Sequence, residues 1–310
     1  KELPISDIIN VVNDSDGQII FYSKRYEEKF KENRDEFKNI KYFVGFDRKE
    51  DEGDFLSFDN LVAKGKELYE NGDKSFLEMK HDDLQKMKML IYTSGTTGKG
   101  KGVMLSQNAV LSDLSDVIQY VDFGKKTIAV LPPHHTYGSS VMLVGHMMIG
   151  CEMYISSGLR YITRELKEQE PEHLVLVPLY LETFYRKILA TVKEQGKEKF
   201  VPRMMKLTNF LCKIGIDLRR VVFKKILAAF GGEVRMIVCG GAPINQEILS
   251  FFNGVGIEIL NGYGITECAP LVSANRMRFV TPGSVGVPIP FTEVKVVNPS
   301  EDGEGEICIK

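Results

Sequence analysis

The clearest chemical signal in this chain is the segment Tyr92–Gly102, which reads Tyr-Thr-Ser-Gly-Thr-Thr-Gly-Lys-Gly-Lys-Gly. Its glycines let backbone N–H groups approach a ligand closely, and its hydroxyls and lysines add further donors. Such a loop can surround a polyphosphate with amide, hydroxyl and ammonium groups. The predicted binding residues are Thr93, Ser94, Gly95, Thr96, Thr97, Gly98 and Lys101.

A second interpretation of this loop is the P-loop of nucleoside triphosphatases. Gly95–Lys101 has the spacing Gly-x-x-x-x-Gly-Lys, but Gly102 stands where that motif has a Ser or Thr for Mg²⁺. The apolar residues Val103–Leu105 predict a strand, whereas a P-loop leads into a helix. A flexible glycine-rich surface loop is a third interpretation, which the ordered run of Ser, Thr, Gly and Lys disfavours.

Another glycine-rich segment, Cys239-Gly240-Gly241-Ala242-Pro243, lies between the predicted strand Arg235–Cys239 and the predicted helix Gln246–Phe252. Its small residues allow a flat ring to lie against the backbone, and Pro243 suits a helix start. By itself, an ordinary strand–turn–helix joint explains this segment equally well.

A third segment, Asn261-Gly262-Tyr263-Gly264-Ile265-Thr266-Glu267, follows the predicted strand Ile257–Leu260. Tyr263 offers a stacking face for a base, Thr266 a hydroxyl for a phosphate and Glu267 a carboxylate for Mg²⁺. Strands that end in glycine-rich or polar turns favour a ligand site at the carboxyl edge of a parallel sheet.

These segments together resemble the adenylate-forming superfamily, which includes acyl-CoA ligases, luciferases and peptide-synthetase adenylation domains. Residues 92–106 resemble its signature loop, with Gly100 where the family usually has Pro, and residues 263–267 resemble its Tyr-Gly-x-Thr-Glu motif. Leu131–Gly138 resembles its Pro-x-x-His segment, with His135 as the matching histidine, and Gly283–Pro288 resembles Gly-Ser-Val-Gly-x-Pro. The resemblance extends from Ile5 to Lys310.

The resemblance implies a role for each matching residue. Tyr263 would stack on adenine, with Gly240, Gly241, Ala242 and Pro243 lining the same pocket and Asn261 and Gly262 beside it. Thr266 would contact the α-phosphate, and Glu267 would hold Mg²⁺. Ser94, Thr96, Thr97 and Lys101 would hold the β- and γ-phosphates, and His135 would lie at the acid pocket. Lys101, Thr266, Glu267 and His135 are thus the expected catalytic residues.

The implied activity is ATP-dependent activation of a carboxylic acid to an acyl-adenylate, followed by transfer to CoA. The long stretch between Leu174 and Arg235 is typical of the long-chain fatty acid–CoA ligases. Two alternatives stay open: activation of another acid for a different acceptor, and a homologue that binds the nucleotide without catalysis. The expected ligands are ATP, AMP, Mg²⁺, the acid and CoA.

The first part of the chain has a β-α-β rhythm, with short apolar strands predicted at Gln18–Tyr22 and Tyr42–Phe46. Tyr26–Lys38 has helical spacing and is predicted to be a helix, whereas the acidic segment Asp47–Asp59 is predicted to be a surface loop. After Pro282 the residues alternate as in an antiparallel sheet or barrel.

The element pattern predicts an α/β fold of layered, mostly parallel sheets with flanking helices. Residues 1–275 are expected to form the binding core and 276–310 the start of a β-barrel-like subdomain. The resemblance also implies that further elements precede Ile5. It places a ribose-binding Asp segment and a small C-terminal domain with a catalytic lysine after Lys310. This chain alone is therefore expected to be inactive.

Composition sets further bounds on the class of protein. The chain has 310 residues, 43% of them hydrophobic, and a net charge of −2, which gives no reason to expect nucleic-acid binding. Its five scattered cysteines favour a reducing cytoplasm over a disulfide framework. Val141–Ile149 is the most apolar stretch, and it is too short to span a bilayer.

The segment Lys193–Lys225 is locally basic, with ten basic residues against three acidic ones, a charge of +7. Apolar residues recur through it at helical spacing: Phe200, Met204, Leu207, Leu211 and Ile214. An ordinary solvated amphipathic helix is one interpretation. Contact with the anionic inner face of a membrane is the other.

Overall fold

The computed structural model describes residues 3–79, 83–93, 100–277 and 279–310. The chain forms two compact units, Lys1–Lys86 with Tyr92–Val103 and Met87–Ile91 with Met104–Lys310. The predicted site residues Ser94, Gly95, Thr96, Thr97 and Gly98 lie outside the described residues.

The first unit contains a parallel β-sheet flanked by helices. Its strands are β1 (Ile19–Tyr22), β2 (Tyr42–Gly45) and β3 (Phe55–Ser57), paired in that order. Its helices are α1 (Ile5–Asp14), α2 (Glu27–Glu32) and α3 (Phe58–Glu70). The predicted β-α-β alternation is therefore confirmed here.

Aromatic packing holds this sheet to its helices. Phe43 and Phe55 are buried and stack with ring centroids 4.7 Å apart. Phe37 meets Phe43 edge-on at 5.4 Å, and Phe30 of α2 meets Phe37 at 5.5 Å. Burial of each such ring stabilises the fold by roughly 1.5–3 kcal/mol.

Two predictions for this unit were wrong. Tyr26–Lys38 was predicted to be one helix, but α2 is short and lies between 3₁₀ turns at Lys24–Tyr26 and Arg34–Glu36. Asp47–Asp59 was predicted to be a surface loop, yet it contains β3 and the start of α3. Its acidic composition hid the strand, which forms because Phe55 packs on the buried aromatic cluster.

The strands β4 (Met87–Thr93) and β5 (Lys101–Ser106) pair as a two-stranded sheet, and the boundary between the units passes through both. The Ser106 side chain accepts a hydrogen bond from Ala109 N, which caps the helix that follows. The strand predicted after the glycine-rich loop is thus confirmed. A P-loop would have continued into a helix at that point.

The second unit contains the remaining elements. Its strands are β6 (Lys126–Ala129), β7 (Glu152–Ile155), β8 (His173–Leu176), β9 (Met236–Cys239), β10 (Glu258–Gly264), β11 (Leu271–Ala274), β12 (Val287–Pro288), β13 (Val294–Val297) and β14 (Glu306–Ile309). Its helices are α4 (Gln107–Ile118), α5 (His146–Met148), α6 (Ile162–Gln169), α7 (Pro178–Glu194), α8 (Phe200–Lys213), α9 (Arg219–Val222), α10 (Lys224–Leu227) and α11 (Gln246–Val255), with a π-helix at Tyr137–Gly145. No helix among the described residues is both long and apolar enough to cross a membrane.

The main sheet of this unit has the order β12-β11-β10-β9-β8. The strands β8, β9 and β10 run parallel, and β11 and β12 are antiparallel additions. The strands β6 and β7 form a separate parallel pair. Helices α7 and α11 contribute Leu181, Phe184 and Phe252 to the core against Leu176 and Ile237 of the sheet.

The turn-rich end of the chain is antiparallel, as predicted. Here β13 pairs with β14, with Val294 opposite Ile309. Residues 279–310, as described, contain this hairpin but no closed barrel. The predicted domain boundary after residue 275 stays a prediction.

Two buried histidines face each other in the second unit. The Nε2 atoms of His146 and His173 are 2.8 Å apart, and His146 Nδ1 lies 3.0 Å from Val141 O. Because that carbonyl can only accept, His146 donates through Nδ1, and in the neutral pair it accepts at Nε2 from His173. Burial, then the neighbouring His146, lowers the pKa of His173 to about 3, and burial lowers the pKa of His146.

We expect this pair to make the protein acid-sensitive. Histidines of the unfolded chain take up protons below about pH 6.5, whereas burial lowers the pKa of both folded histidines and so opposes their protonation. Folding stability should therefore fall as pH drops below that value, by up to about 1.4 kcal/mol per pH unit for each histidine. Urea unfolding at pH 7.5, 6.5 and 5.5 measures this loss.

The matched variant is His173→Gln, because its amide can still donate to His146 while it no longer titrates. The loss of free energy of unfolding between pH 7.5 and 5.5 should shrink in this variant. Equal losses in the variant and the parent would show that the pair does not carry the effect.

Candidate functional site

A cavity of about 400 Å³ lies in the second unit at the carboxyl ends of β8, β9 and β10. Three chain segments, 131–138, 238–241 and 262–271, converge on it together with Val177. Six predicted site residues line it, namely His135, Gly240, Gly241, Gly262, Tyr263 and Thr266. Segments that are far apart in sequence thus meet at the edge of the sheet where the sequence predicted a ligand site.

Tyr137 fixes the first segment against the sheet. Its hydroxyl lies 3.2 Å from Val238 O and 3.4 Å from Leu176 O, so it can donate to the backbone near the ends of β9 and β8. Burial raises the pKa of Tyr137 well above its ordinary value, so the hydroxyl keeps its proton. Gly138 follows at a position where a Cβ would lie 2.1 Å from Pro132 O. Only glycine therefore allows this tight turn into the π-helix.

In the second segment, Gly240 lies close to the end of the neighbouring strand β10 and to Tyr137. A Cβ on Gly240 would lie 3.3 Å from Gly262 O and 3.6 Å from the Tyr137 ring. Gly241 has a φ of +85°, a left-handed conformation that favours glycine. The bare backbone leaves the cavity wall flat, which suits a planar ring.

Two residues of this segment lie outside the lining. Ala242 and Pro243 are exposed and follow the glycines away from the cavity. Pro243 does not begin a helix, because α11 starts at Gln246 with Asn245 as its cap. The predicted contact of Ala242 and Pro243 with a nucleotide stays a prediction.

The third segment is a strand for longer than the sequence suggested. Strand β10 continues through Gly264, because Gly262 pairs with Ala274 and Tyr263 with Ser273 of β11. Gly264 lies where a Cβ would be 2.2 Å from Pro270 O, so the hairpin closes tightly there. Tyr263 is thereby held on a sheet strand.

Thr266 and Glu267 begin a 3₁₀ turn in this hairpin. The Thr266 hydroxyl lies 3.4 Å from that of the buried Thr136, which connects the hairpin to the first segment. Glu267 is exposed and lies outside the cavity lining. Its carboxylate is therefore accessible to solvent and to a ligand beside the cavity.

Asn261 is hydrogen-bonded within the fold and is not part of the cavity lining. It is buried, and its backbone O accepts hydrogen bonds from Asn275 N at 2.9 Å and Asn275 Nδ2 at 3.2 Å. Its side chain points toward Ser284 O, with Nδ2 at 3.5 Å. These contacts tie β10 to the segment after β11, and a nucleotide contact by Asn261 stays a prediction.

The remaining predicted residues belong to the first unit. Thr93 ends β4 and is half-buried, and Lys101 begins β5 and is exposed. The five intervening predicted residues are outside the described part of the chain.

The described side chains could hold a magnesium ion only if a bound phosphate supplied further oxygen ligands. Within the described ranges, no three His, Cys, Asp or Glu side chains are grouped to hold a metal ion. Magnesium commonly takes one or two carboxylates and completes its octahedron with phosphate oxygens and water. Glu267 could serve as that carboxylate.

Sequence analysis missed Asp113, a buried carboxyl on α4. Its Oδ1 accepts a hydrogen bond from Leu271 N at 3.1 Å, at the end of the hairpin that carries Thr266, and its Oδ2 has no partner within the described structure. Burial raises the pKa of Asp113 to about 8, the Leu271 N–H opposes this and the Asp116 charge adds to it. The available signal was an acid among the buried positions Val110, Leu114 and Val117 of an amphipathic helix.

An α/β unit with glycine-rich backbone around a cavity at the carboxyl ends of parallel strands belongs to the nucleotide-binding class of folds. The family model described as "AMP-binding enzyme" matches residues 2–310, and the chain belongs to that family.

Curated relatives and a solved structure agree with this membership. The chain is 31% identical over 247 residues to long-chain-fatty-acid–CoA ligase 6 of Mus musculus, covering 74% of this chain and 35% of the relative. It is 27% identical over 292 residues to long-chain-fatty-acid–[acyl-carrier-protein] ligase AEE15 of Arabidopsis thaliana, covering 78% and 39%. The chain thus spans well under half the length of these relatives.

The solved structure is the anthranilate CoA ligase AuaEII in complex with anthranoyl-AMP. It superposes with a TM-score of 0.72 at 14% identity, over 99% of this chain and 52% of that one. At 14% sequence identity, this superposition shows that the two chains share a fold.

We expect Asp113 to support the hairpin as an uncharged acceptor. Because its folded-state pKa is raised, its contribution to stability is lost as pH rises through about 8. Asp113→Asn keeps an acceptor without a charge, so its stability relative to the parent should improve between pH 6 and 9. Asp113→Leu leaves Leu271 N unpaired and should be about 1–3 kcal/mol less stable than Asp113→Asn at every pH.

Urea unfolding of these variants tests the assignment, with Asp122→Asn, an exposed change, as the control. A constant difference between Asp113→Asn and the parent across that pH range would contradict it.

Proposed function

We propose that the protein containing this chain uses ATP to activate a carboxylic acid as an acyl-adenylate and passes the acyl group to a thiol. The observation that carries this proposal is the convergence of His135, Gly240, Gly241, Tyr263 and Thr266 on one cavity. Membership of the AMP-binding enzyme family supports it. A long-chain fatty acid is the proposed substrate, since the mouse relative is named for that activity.

The cavity walls suit the nucleoside part of the ligand. Tyr263 would stack on one face of adenine, and the bare backbone of Gly240 and Gly241 would contact the other face of the ring. Among the described residues that line the cavity there is no Asp, Glu, Lys or Arg, so the walls are largely uncharged. A flat, weakly polar ring binds such a surface by stacking and burial.

The proposed chemistry begins with a carboxylate oxygen attacking the α-phosphorus of ATP. A phosphorus–oxygen bond forms to the acid, and the bond to pyrophosphate breaks. The protein aligns the reacting groups and stabilises negative charge on the phosphate oxygens. The Thr266 hydroxyl would donate to the α-phosphate, and Lys101 would bind the leaving phosphates. Magnesium held by Glu267 would neutralise phosphate charge when bound.

In the second half-reaction, a thiolate sulfur attacks the acyl carbon and AMP leaves. We propose CoA as that thiol on the evidence of the mouse relative's name. The Arabidopsis relative is named for transfer to acyl-carrier protein, so that acceptor is the second candidate. Incubation of the full-length protein with ATP, an acid and either thiol distinguishes the two.

Glu267→Gln should abolish most of the adenylation by the full-length protein. Removal of the carboxylate weakens magnesium and phosphate binding in the transition state, and a loss of about 10²–10³-fold is expected. ATP–pyrophosphate exchange measures it, with Glu304→Gln, another exposed carboxylate, as the control. Unchanged exchange with an unchanged melting curve would remove Glu267 from the proposed machinery.

Tyr263→Ala should raise the KM for ATP about tenfold, because stacking on a base is worth about 1–3 kcal/mol. Tyr263→Phe keeps the ring and should retain most of the affinity. If Tyr263→Phe loses as much as Tyr263→Ala, the ring does not act by stacking.

Exchange of pyrophosphate also separates the proposed reaction from its alternatives. A protein that only binds nucleotide would show no acid-dependent exchange. A nucleoside triphosphatase would release ADP, whereas the proposed reaction yields AMP.

A further inference from the structure

Helix α8 has one face fixed to the core of the second unit. Val201 and Thr208 are buried, and Met205 packs so closely on α11 that a Cβ at Gly254 would lie 2.4 Å from its Cε. The orientation of the helix is therefore determined by this inner face.

The outward face of α8 is apolar, which is the reverse of a normal surface helix. Phe200, Leu207, Phe210 and Ile214 have 52%, 50%, 61% and 60% of their surface exposed. At 100° per residue they lie within an arc of about 80°. Met204 and Leu211, which the sequence placed with them, are half-buried at its inner edge. We call Phe200, Leu207, Phe210 and Ile214 the apolar stripe.

A row of basic residues runs beside the apolar stripe. Lys199, Lys206 and Lys213 are exposed and seven residues apart, so they lie along one side of the helix. Arg203 lies between stripe residues and is also exposed. None of these four forms a salt bridge within the described residues.

Two other basic residues of 193–225 have structural partners. Arg219 pairs with Asp217 at 2.7 Å, and Arg220 donates to Val234 O and Gly232 O. These two charges are therefore held in the fold, whereas the four beside the apolar stripe are exposed.

We propose that α8 is the surface by which this protein binds an anionic lipid bilayer. The apolar stripe would enter the boundary between headgroups and acyl chains, and the lysine row and Arg203 would bind lipid phosphates. The helix has 14 residues, about 21 Å at 1.5 Å each, so it would lie in the plane of the bilayer. The charge of this face favours an anionic surface although the whole chain carries −2.

A second copy of the chain is a poorer occupant of this surface. A two-fold dimer through the apolar stripe would gather the basic residues of both copies around one interface. The proposal that this protein binds a membrane rests on α8 alone and does not depend on the proposed reaction.

The test is co-sedimentation of the full-length protein, without ATP or acid, with two kinds of vesicle. One contains phosphatidylcholine alone, and the other also contains about 30% phosphatidylglycerol, enough to make the surface anionic. The charge variant is Lys199→Gln/Lys206→Gln/Lys213→Gln, and its control is Lys41→Gln/Lys64→Gln/Lys167→Gln, the same change at other exposed lysines. The stripe variant is Leu207→Ser/Phe210→Ser, and its control is Phe76→Ser/Phe279→Ser, at two other exposed rings.

The parent should bind the anionic vesicles more tightly than the neutral ones. The charge variant should lose about a hundredfold in affinity, at about 1 kcal/mol for each lysine. The stripe variant should also lose binding, while both controls and the pyrophosphate exchange rate stay at parental values.

Three results would overturn the proposal. The first is equal binding to both vesicles, and the second is equal losses in the variants and their controls. The third is protection of Phe200, Leu207 and Phe210 from hydroxyl-radical labelling without lipid, which would show that another part of the protein or a second copy covers the apolar stripe. Light scattering of the parent and the stripe variant distinguishes those two occupants.

Discussion

The close approach of the backbone at the ends of β9 and β10 is the constraint on which this site depends. A Cβ on Gly240 would lie 3.3 Å from Gly262 O, and Tyr137 is hydrogen-bonded across the ends of β8 and β9. A side chain at Gly240 would therefore occupy the cavity wall and displace its neighbours by a few tenths of an ångström. The glycine-rich composition of these segments is therefore a consequence of geometry, and the flat wall that results is what a base can bind.

The hairpin that carries Thr266 is positioned by hydrogen bonds between groups that carry no charge. Thr136 meets Thr266 hydroxyl to hydroxyl, and Asp113 supports Leu271 N at the far end of the same hairpin. A buried carboxyl with a raised pKa holds the backbone without placing a negative charge near the proposed phosphate site. This arrangement is consistent with electrostatic preorganisation, in which donors are in place before charge develops.

The sequence predicted the features that depend on local pattern. Strand–glycine junctions identified Gly240, Gly241 and Tyr263, and the apolar run after the glycine-rich loop identified β5. Features that depend on distant partners were missed. The extension of β10 to Gly264 needs β11 as its partner, and the roles of Tyr137 and Asp113 need residues about 40 to 160 positions away.

Acidic composition misled the prediction for Asp47–Asp59, because charge patterning indicates exposure but says nothing of a short strand between the charges. Helical spacing likewise grouped Phe200 with Met204 without showing which side faces the core. The packing of Met205 on Gly254 decides that question.

The most direct test of the central claim is a crystal structure of the full-length protein with a non-hydrolysable acyl-adenylate analogue. The account predicts the adenine ring between Tyr263 and the Gly240–Gly241 backbone, with the phosphate mimic at the Thr266 hydroxyl. An analogue bound at another surface, with this cavity unchanged, would contradict it.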